Sequence, residues 1–219
     1  MSEDKKAGQL ILSQLKMFNE AAVLFEQVVE PAILKGIDVT VDSFAEKNDW
    51  DGEYELESDN DCWLAPKAWI TNPGEEGPKF KAQFAIDYID GDDDFWSALF
   101  CDVATQGGRA GFLFKIDVGA FGLRNTRSAW VKTIPQELIS KLTALGFQNR
   151  NKGNFFLPVT LDNQMLANSF LEYGEFTEDD DIFAPLLSAL EILKQAVPIF
   201  DQIMQYCSAA CGPVGDRLG

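Results

Sequence analysis

The chain contains no histidine. Histidine is the side chain that titrates nearest neutral pH, and it is the commonest metal ligand. A Ser-His-Asp triad, a Cys-His pair and a His-ligated zinc are therefore excluded. An export signal is also missing, because the opening MSEDKKAGQL is polar and charged where a signal peptide needs an apolar core. No uninterrupted apolar run approaches the ~18 residues that read as a membrane span. These absences set the expectation of a reducing cytoplasm, with Cys62, Cys101, Cys207 and Cys211 as free thiols.

Positive charge is scarce. Eighteen Lys and Arg face 35 Asp and Glu, for a formal net charge of −17 and a pI near 4.3. A field of that sign repels nucleic acid and anionic lipid and draws basic proteins or cations. The plain alternative is that the charge serves only solubility.

Aromatic residues are abundant: 17 Phe, five Trp and four Tyr. Each buried ring removes about 150–250 Å² from water, so the expected core is an aromatic one. A chain of 219 residues with no internal repeat, low-complexity linker or break in composition reads as a single domain over 1–219.

The expected fold class is α+β: an antiparallel sheet meander packed against long N-terminal and C-terminal helices. Residues 8–30 form an amphipathic helix on the stripe Ile11, Leu15, Phe18, Ala22, Phe25 and Val29. Pro31 disturbs its last turn and Gly36 follows as a stop signal. Residues 37–133 are expected to be mainly sheet. The clearest strand is 79–90, where Phe80, Ala82, Phe84, Ile86 and Tyr88 alternate with polar positions. Further strands are expected over 53–57, 62–70, 95–103, 112–118, 129–133 and 154–161, the last an edge strand because of Pro158. Pro135 opens a helix ending at Gly146, and Asn151-Lys152-Gly153 is a hairpin turn. The last helix covers 179–210, with Pro185 in its first turns and Pro198 as a kink.

Several chemistries can be weighed. Acidic residues cluster over 42–61 and over 170–181, and such oxygens suit Ca²⁺ or Mg²⁺. No segment keeps the register of a twelve-residue calcium loop, so solvated loops and an anion cluster at a helix N-terminus are favoured. A metal-dependent nuclease would need Glu or Asp two positions before a strand lysine. Lys115 has Leu113 there and Lys132 has Trp130. Cys207 and Cys211 share a helix face, but with Cys62 and Cys101 they supply only half of a zinc pattern. Gly107, Gly108 and Gly111 lack the phosphate-loop signature and suit a turn. No cofactor and no metal is expected.

The charge is segregated. Residues 105–153 hold eight bases, including Arg109, Arg124, Arg127, Arg150 and Lys152, against Asp117 and Glu137. The leading expectation is a non-catalytic protein whose acidic residues Asp92, Asp93, Asp94, Glu178, Asp179, Asp180 and Asp181 meet a macromolecular partner with a basic surface. An immunity-type or inhibitor protein has that character. Two alternatives stand beside it. One is a metal-dependent enzyme using carboxylates and Lys, which convergent carboxylates in a pocket would favour. The other is an anion or nucleic-acid binder using Arg109, Arg124, Arg127, Arg150 and Lys152. Self-association of acidic and basic faces is a further reading of the same asymmetry.

Overall fold

The computed structural model describes residues 3–74, 77–91, 94–121, 130–151, 153–176 and 181–210. The fold is α+β, with an antiparallel sheet of six strands in the order β1-β2-β5-β6-β8-β7. Those strands are β1 (Trp50–Glu55), β2 (Asp61–Pro66), β5 (Ala82–Ile89), β6 (Arg109–Ile116), β7 (Gln148–Asn149) and β8 (Phe155–Pro158). The short ribbon of β3 (Ile70–Gly74) and β4 (Gly77–Phe80) stands apart from that sheet. β5 and β6 form its centre, in register from Ala82↔Ile116 to Ile89↔Arg109. Their alternation is the two-residue period of the sequence: Phe84 and Ile86 oppose Phe114 and Phe112 on one face.

That face carries the core. Phe200 of the last helix, fully buried, stacks on Phe114 at 4.0 Å and meets Phe84, Phe147 and Phe155 edge-on. Trp50 and Trp69 extend the cluster through Phe84. Trp69 Nε1 donates to Asp201 of the same helix at 2.7 Å, which satisfies the indole.

The N-terminal helical region is longer than its sequence announces. It runs as α1 (Glu3–Ser13), α2 (Leu15–Leu24), a π-turn at Phe25–Val29 and α3 (Glu30–Lys47). The expected helix 8–30 therefore continues by 17 residues, and the expected sheet begins only at Trp50. Pro31 stands in the first turn of α3, where its missing N–H costs nothing, and the π-turn precedes it. Gly36 does not stop the helix either. A Cβ there would lie 2.5 Å from Phe183 Cζ and 3.0 Å from Phe176 Cβ. The glycine is a contact point between helices, not a terminator.

Other expectations are corrected. Residues 95–103 are not a strand, because α5 (Trp96–Phe100) occupies their middle and buries Leu99 and Phe100 on a helical spacing. Trp130 and Val131 form a helical turn, with Thr133 N donating to Trp130 O, where a strand over 129–133 was expected. The strand expected over 53–57 sits at Trp50–Glu55, and Leu56 begins the single turn α4 (Leu56–Asp59). The strand expected over 62–70 ends at Pro66. β8 is covered on its outer side by β7 as far as Phe155 and Phe156, and Pro158 lies just past that pairing.

The helix after Pro135 is α6 (Gln136–Ala144). An unforeseen helix, α7 (Asn163–Tyr173), is capped by Asp162, whose carboxylate accepts from Gln164 N and Met165 N. The last helix is α8 (Ala184–Ala210), preceded by a 3₁₀ turn at Asp181–Phe183, and it passes through Pro198 without interruption. By length and composition alone the segment Asp181–Tyr206 could cross a membrane. Its residues Leu186, Leu190, Leu193, Phe200 and Ile203 are fully buried, and Phe200 packs on the rings of the sheet.

Candidate functional site

β2 and β5 are paired only at Trp63↔Ala85 and Leu64↔Phe84. Continuing that register would set Asp61 opposite Asp87. Like charges directly opposite are destabilising, and the pairing stops short of them. The strands part there, and a pocket of about 500 Å³ fills the gap. Its wall brings together Glu30 from the start of α3, Asp61 from β2, Asp87, Tyr88 and Lys115 from the central strands, and Asp94 with Trp96 beside α5.

Most of its polar groups are already engaged. Asp87 accepts from Lys115 Nζ at 3.0 Å and from Tyr88 N at 2.8 Å. Asp94 accepts from the backbone and hydroxyl of Thr105 at 3.0 and 2.8 Å. Trp96 Nε1 donates to Asn60 at 3.1 Å, and its ring meets Tyr88 edge-on at 5.4 Å. Asn60 holds the left-handed conformation, φ 55°, that closes α4 and turns the chain into β2.

Glu30 is the exception. It is only 8 % exposed, and its Oε1 accepts from Ser97 N at 3.1 Å. Its Oε2 is buried with no hydrogen-bond partner among the described residues. A buried acidic oxygen left unpaired is costly, by about 1–3 kcal/mol or more. Such an atom is open to a hydrogen-bond donor, an ordered water among them.

Carboxylates thus converge in a concave site, the feature expected of the enzyme alternative. Yet no three Asp, Glu or Cys side chains among the described residues lie close enough together to hold a metal ion. The mixture of acids with Trp96, Tyr88 and Phe95 suits a different cation. Ammonium and guanidinium groups pair with carboxylates and rest on aromatic faces.

A second, apolar groove of about 300 Å³ adjoins it. Phe25 and Val29 of the π-turn, Ile33 of α3, Phe95, and Leu166 and Phe170 of α7 are among its lining residues. Phe95 lines both hollows, is 50 % exposed and packs edge-on against Phe25 at 4.9 Å.

The acidic residues singled out from the sequence are only partly placed. Asp94 stands in the charged pocket, and Asp181 opens the turn before α8. Asp92, Asp93, Glu178, Asp179 and Asp180 lie outside the described residues. The cluster over 42–61 is engaged locally. Asp49 pairs with Lys67, Glu53 accepts from Trp63 Nε1, and the Glu55 carboxyl is raised above its ordinary value by its hydrogen bond to Asp59.

Among the bases, Arg109 makes a two-pronged pair with Asp102 at 2.9 and 3.2 Å, and Arg150 faces Asp90 at 3.6 Å. Lys141 pairs with Glu137 at 2.7 Å. Arg124, Arg127 and Lys152 lie outside the described residues. The described arginines of the basic segment are thus each turned toward a carboxylate.

Of the four cysteines, Cys62 is a buried free thiol, raised well above its ordinary pKa by burial and then by the Asp38 carboxylate. Cys101 lines the apolar groove and is pushed up to about 11, again by burial first. Neither is poised as a nucleophile, because the thiolate is the reactive form. The side chains of Cys207 and Cys211 lie outside the described set.

No known protein family matches the chain, and neither curated proteins nor solved structures include one significantly similar to it.

Proposed function

We propose that this is a non-catalytic, cytoplasmic binding protein whose acidic surface engages a macromolecular partner through basic side chains. The pocket between β2 and β5 receives a lysine or arginine of that partner. The observation that carries the reading is the unpaired, buried Glu30 Oε2 in a wall of carboxylates and aromatic rings. A charge-assisted hydrogen bond from an incoming ammonium or guanidinium would satisfy it. The net charge of −17 supports the same reading, since it steers a basic partner toward the surface.

The test uses short oligo-lysine and oligo-arginine peptides, with an oligo-glutamate control, titrated by calorimetry at several salt concentrations. Binding of the cationic peptides should weaken as salt rises. Glu30→Gln keeps the acceptor for Ser97 N and removes the charge. It should weaken peptide binding about tenfold while leaving thermal stability unchanged or higher, the trade expected at a site held for function. Reversing the charge of Asp179, Asp180 and Asp181 tests whether that cluster extends the surface. Binding that ignores both salt and Glu30→Gln would sink the proposal.

A further inference from the structure

The charged pocket and the apolar groove are neighbours across one helix and one ring. Glu30 and Leu34 line the pocket, while Val29 and Ile33 line the groove. Phe95 lines both, with half of its surface exposed. Ser97 lines the groove, and its N–H donates to Glu30 Oε1 at 3.1 Å, so one hydrogen bond joins the two walls.

The two sides differ in what they lack. The pocket carries Glu30, Asp61, Asp87 and Asp94 against Lys115. Lys115 pairs with Asp87, which leaves Glu30, Asp61 and Asp94 without an ion-pair partner among the described residues. Glu30 is nine-tenths buried, and its Oε2 has no hydrogen-bond partner among them. The groove has no charged side chain among its described lining residues. Together they suit a ligand that is cationic at one point and apolar at the next.

We propose that the two hollows form one composite site for an extended peptide segment of the partner. An arginine enters the charged pocket, and a leucine-sized side chain two residues away enters the groove. The proposal rests on the cation-binding reading given above and adds the apolar half of the partner. Arginine fits better than lysine. The described carboxylates stand too far apart to share a metal ion, and a planar guanidinium with five N–H donors bridges separated acceptors where an ammonium is a point charge. Tyr88 and Trp96 supply rings for it to stack on. The spacing follows from α3. Glu30 of the pocket and Ile33 of the groove are three positions apart, which places their Cβ atoms about 5–6 Å from each other. In an extended peptide, side chains two residues apart point the same way at about 6–7 Å.

Calorimetry of the full chain with acetylated, amidated pentapeptides tests the proposal. The probes are Gly-Arg-Ala-Leu-Gly and the reversed order Gly-Leu-Ala-Arg-Gly, with Gly-Arg-Ala-Ala-Gly and Gly-Ala-Ala-Leu-Gly as controls. One of the two orders should bind about tenfold tighter than the peptide lacking leucine, the gain from burying one such side chain. Replacing its arginine with lysine should weaken it several-fold. Ala167→Gln and Val103→Asn each put a polar group into the groove lining at an exposed position. Each should bring the ratio between leucine and alanine peptides close to one, with an unchanged melting temperature. The inference is overturned if leucine adds nothing in either order, if its advantage survives both variants, or if the peptide without arginine binds as well. A dimer in sedimentation velocity that Val103→Asn breaks would also overturn it, since a second copy would then cover the groove. If oligo-arginine binds and Glu30→Gln weakens it while leucine adds nothing, the composite site falls and the cation-binding reading stands. If no cationic peptide binds, both fall.

Discussion

Gly36→Ala should destabilise this protein, although alanine is the better helix former. In an exposed helix the change gains about 1 kcal/mol. Here the added methyl would stand 2.5 and 2.7 Å from ring carbons of Phe183 and 3.0 Å from Phe176 Cβ. Phe183 is fully buried and packs against Phe176, so its ring cannot swing aside into solvent. Overpacking costs about 1–3 kcal/mol, and two contacts under 3.0 Å with a ring that cannot move place this one at about 2–3 kcal/mol. The core penalty outweighs the helical gain, leaving a net loss of about 1–2 kcal/mol.

For a chain of this size, each kcal/mol moves Tm by about 2–4 °C. Gly36→Ala should therefore melt about 2–8 °C lower by circular dichroism, with a lower denaturant midpoint and an unchanged slope. Gly8→Ala is the control, because nothing lies within 4 Å of a Cβ there, and it should leave the main transition in place. Combining Gly36→Ala with Phe183→Leu should cost less than the two single changes together, because the shorter side chain makes room. A Gly36→Ala protein as stable as wild type, or more so, would refute the account of why α3 carries a glycine.

Two more predictions concern buried groups. Burial raises the Asp38 carboxyl above its ordinary 3.8, outweighing the amides of Glu57 and Leu56 that lower it. The folded state thus holds that proton more tightly than the unfolded chain. The stabilisation is complete below pH 3.8 and is lost as pH rises through the raised value. Asp38→Asn cannot titrate, so denaturant melts from about pH 3 to about pH 6 should show wild type losing stability relative to the variant; the opposite slope would refute this. Phe200→Ala removes a fully buried ring that stacks on Phe114 and meets three other phenylalanines. It should lose about 3–5 kcal/mol in chemical denaturation, and a loss under about 1 kcal/mol would mean that α8 does not seat on this face.

Local patterns were readable where the physics is local. Alternation over 79–90 marks β5 because side chains in a strand project to opposite faces, and here one face meets α8. The turn at 151–153 and the cap at Pro135 are decided by backbone preferences a few residues long. Gly36 was misread because its reason lies 147 positions away, at Phe183. Residues 95–103 were misread because a short apolar run carries little periodicity, and what decides it is packing against α3 and β6. The helix α7 did announce itself, with Asp162 at its start and Gly174, φ 74°, at its end. Those are ordinary cap residues, and its weak apolar stripe hid them.

The pocket shows the same division more sharply. Its acids come from α3, β2, β5 and the approach to α5, and only the parting of β2 from β5 makes them neighbours. No spacing along the chain encodes that. One member nevertheless left a trace. On α3 the buried positions Leu34, Ile37, Val41 and Phe44 recur at helical intervals. Carried back one turn, the same stripe lands on Glu30. A charge on the core-facing stripe of a helix conflicts with binary patterning, and such conflicts gather at sites kept for function. Asp38 is the second buried acid of α3, and the comparison separates structure from site. Both Asp38 oxygens accept backbone amides, at 3.0 Å each, and tie α3 to α4. Glu30 has one oxygen satisfied and one buried without a hydrogen-bond partner among the described residues. Two acids of one helix are thus alike in sequence and in burial. They differ in whether the fold completes their hydrogen bonding.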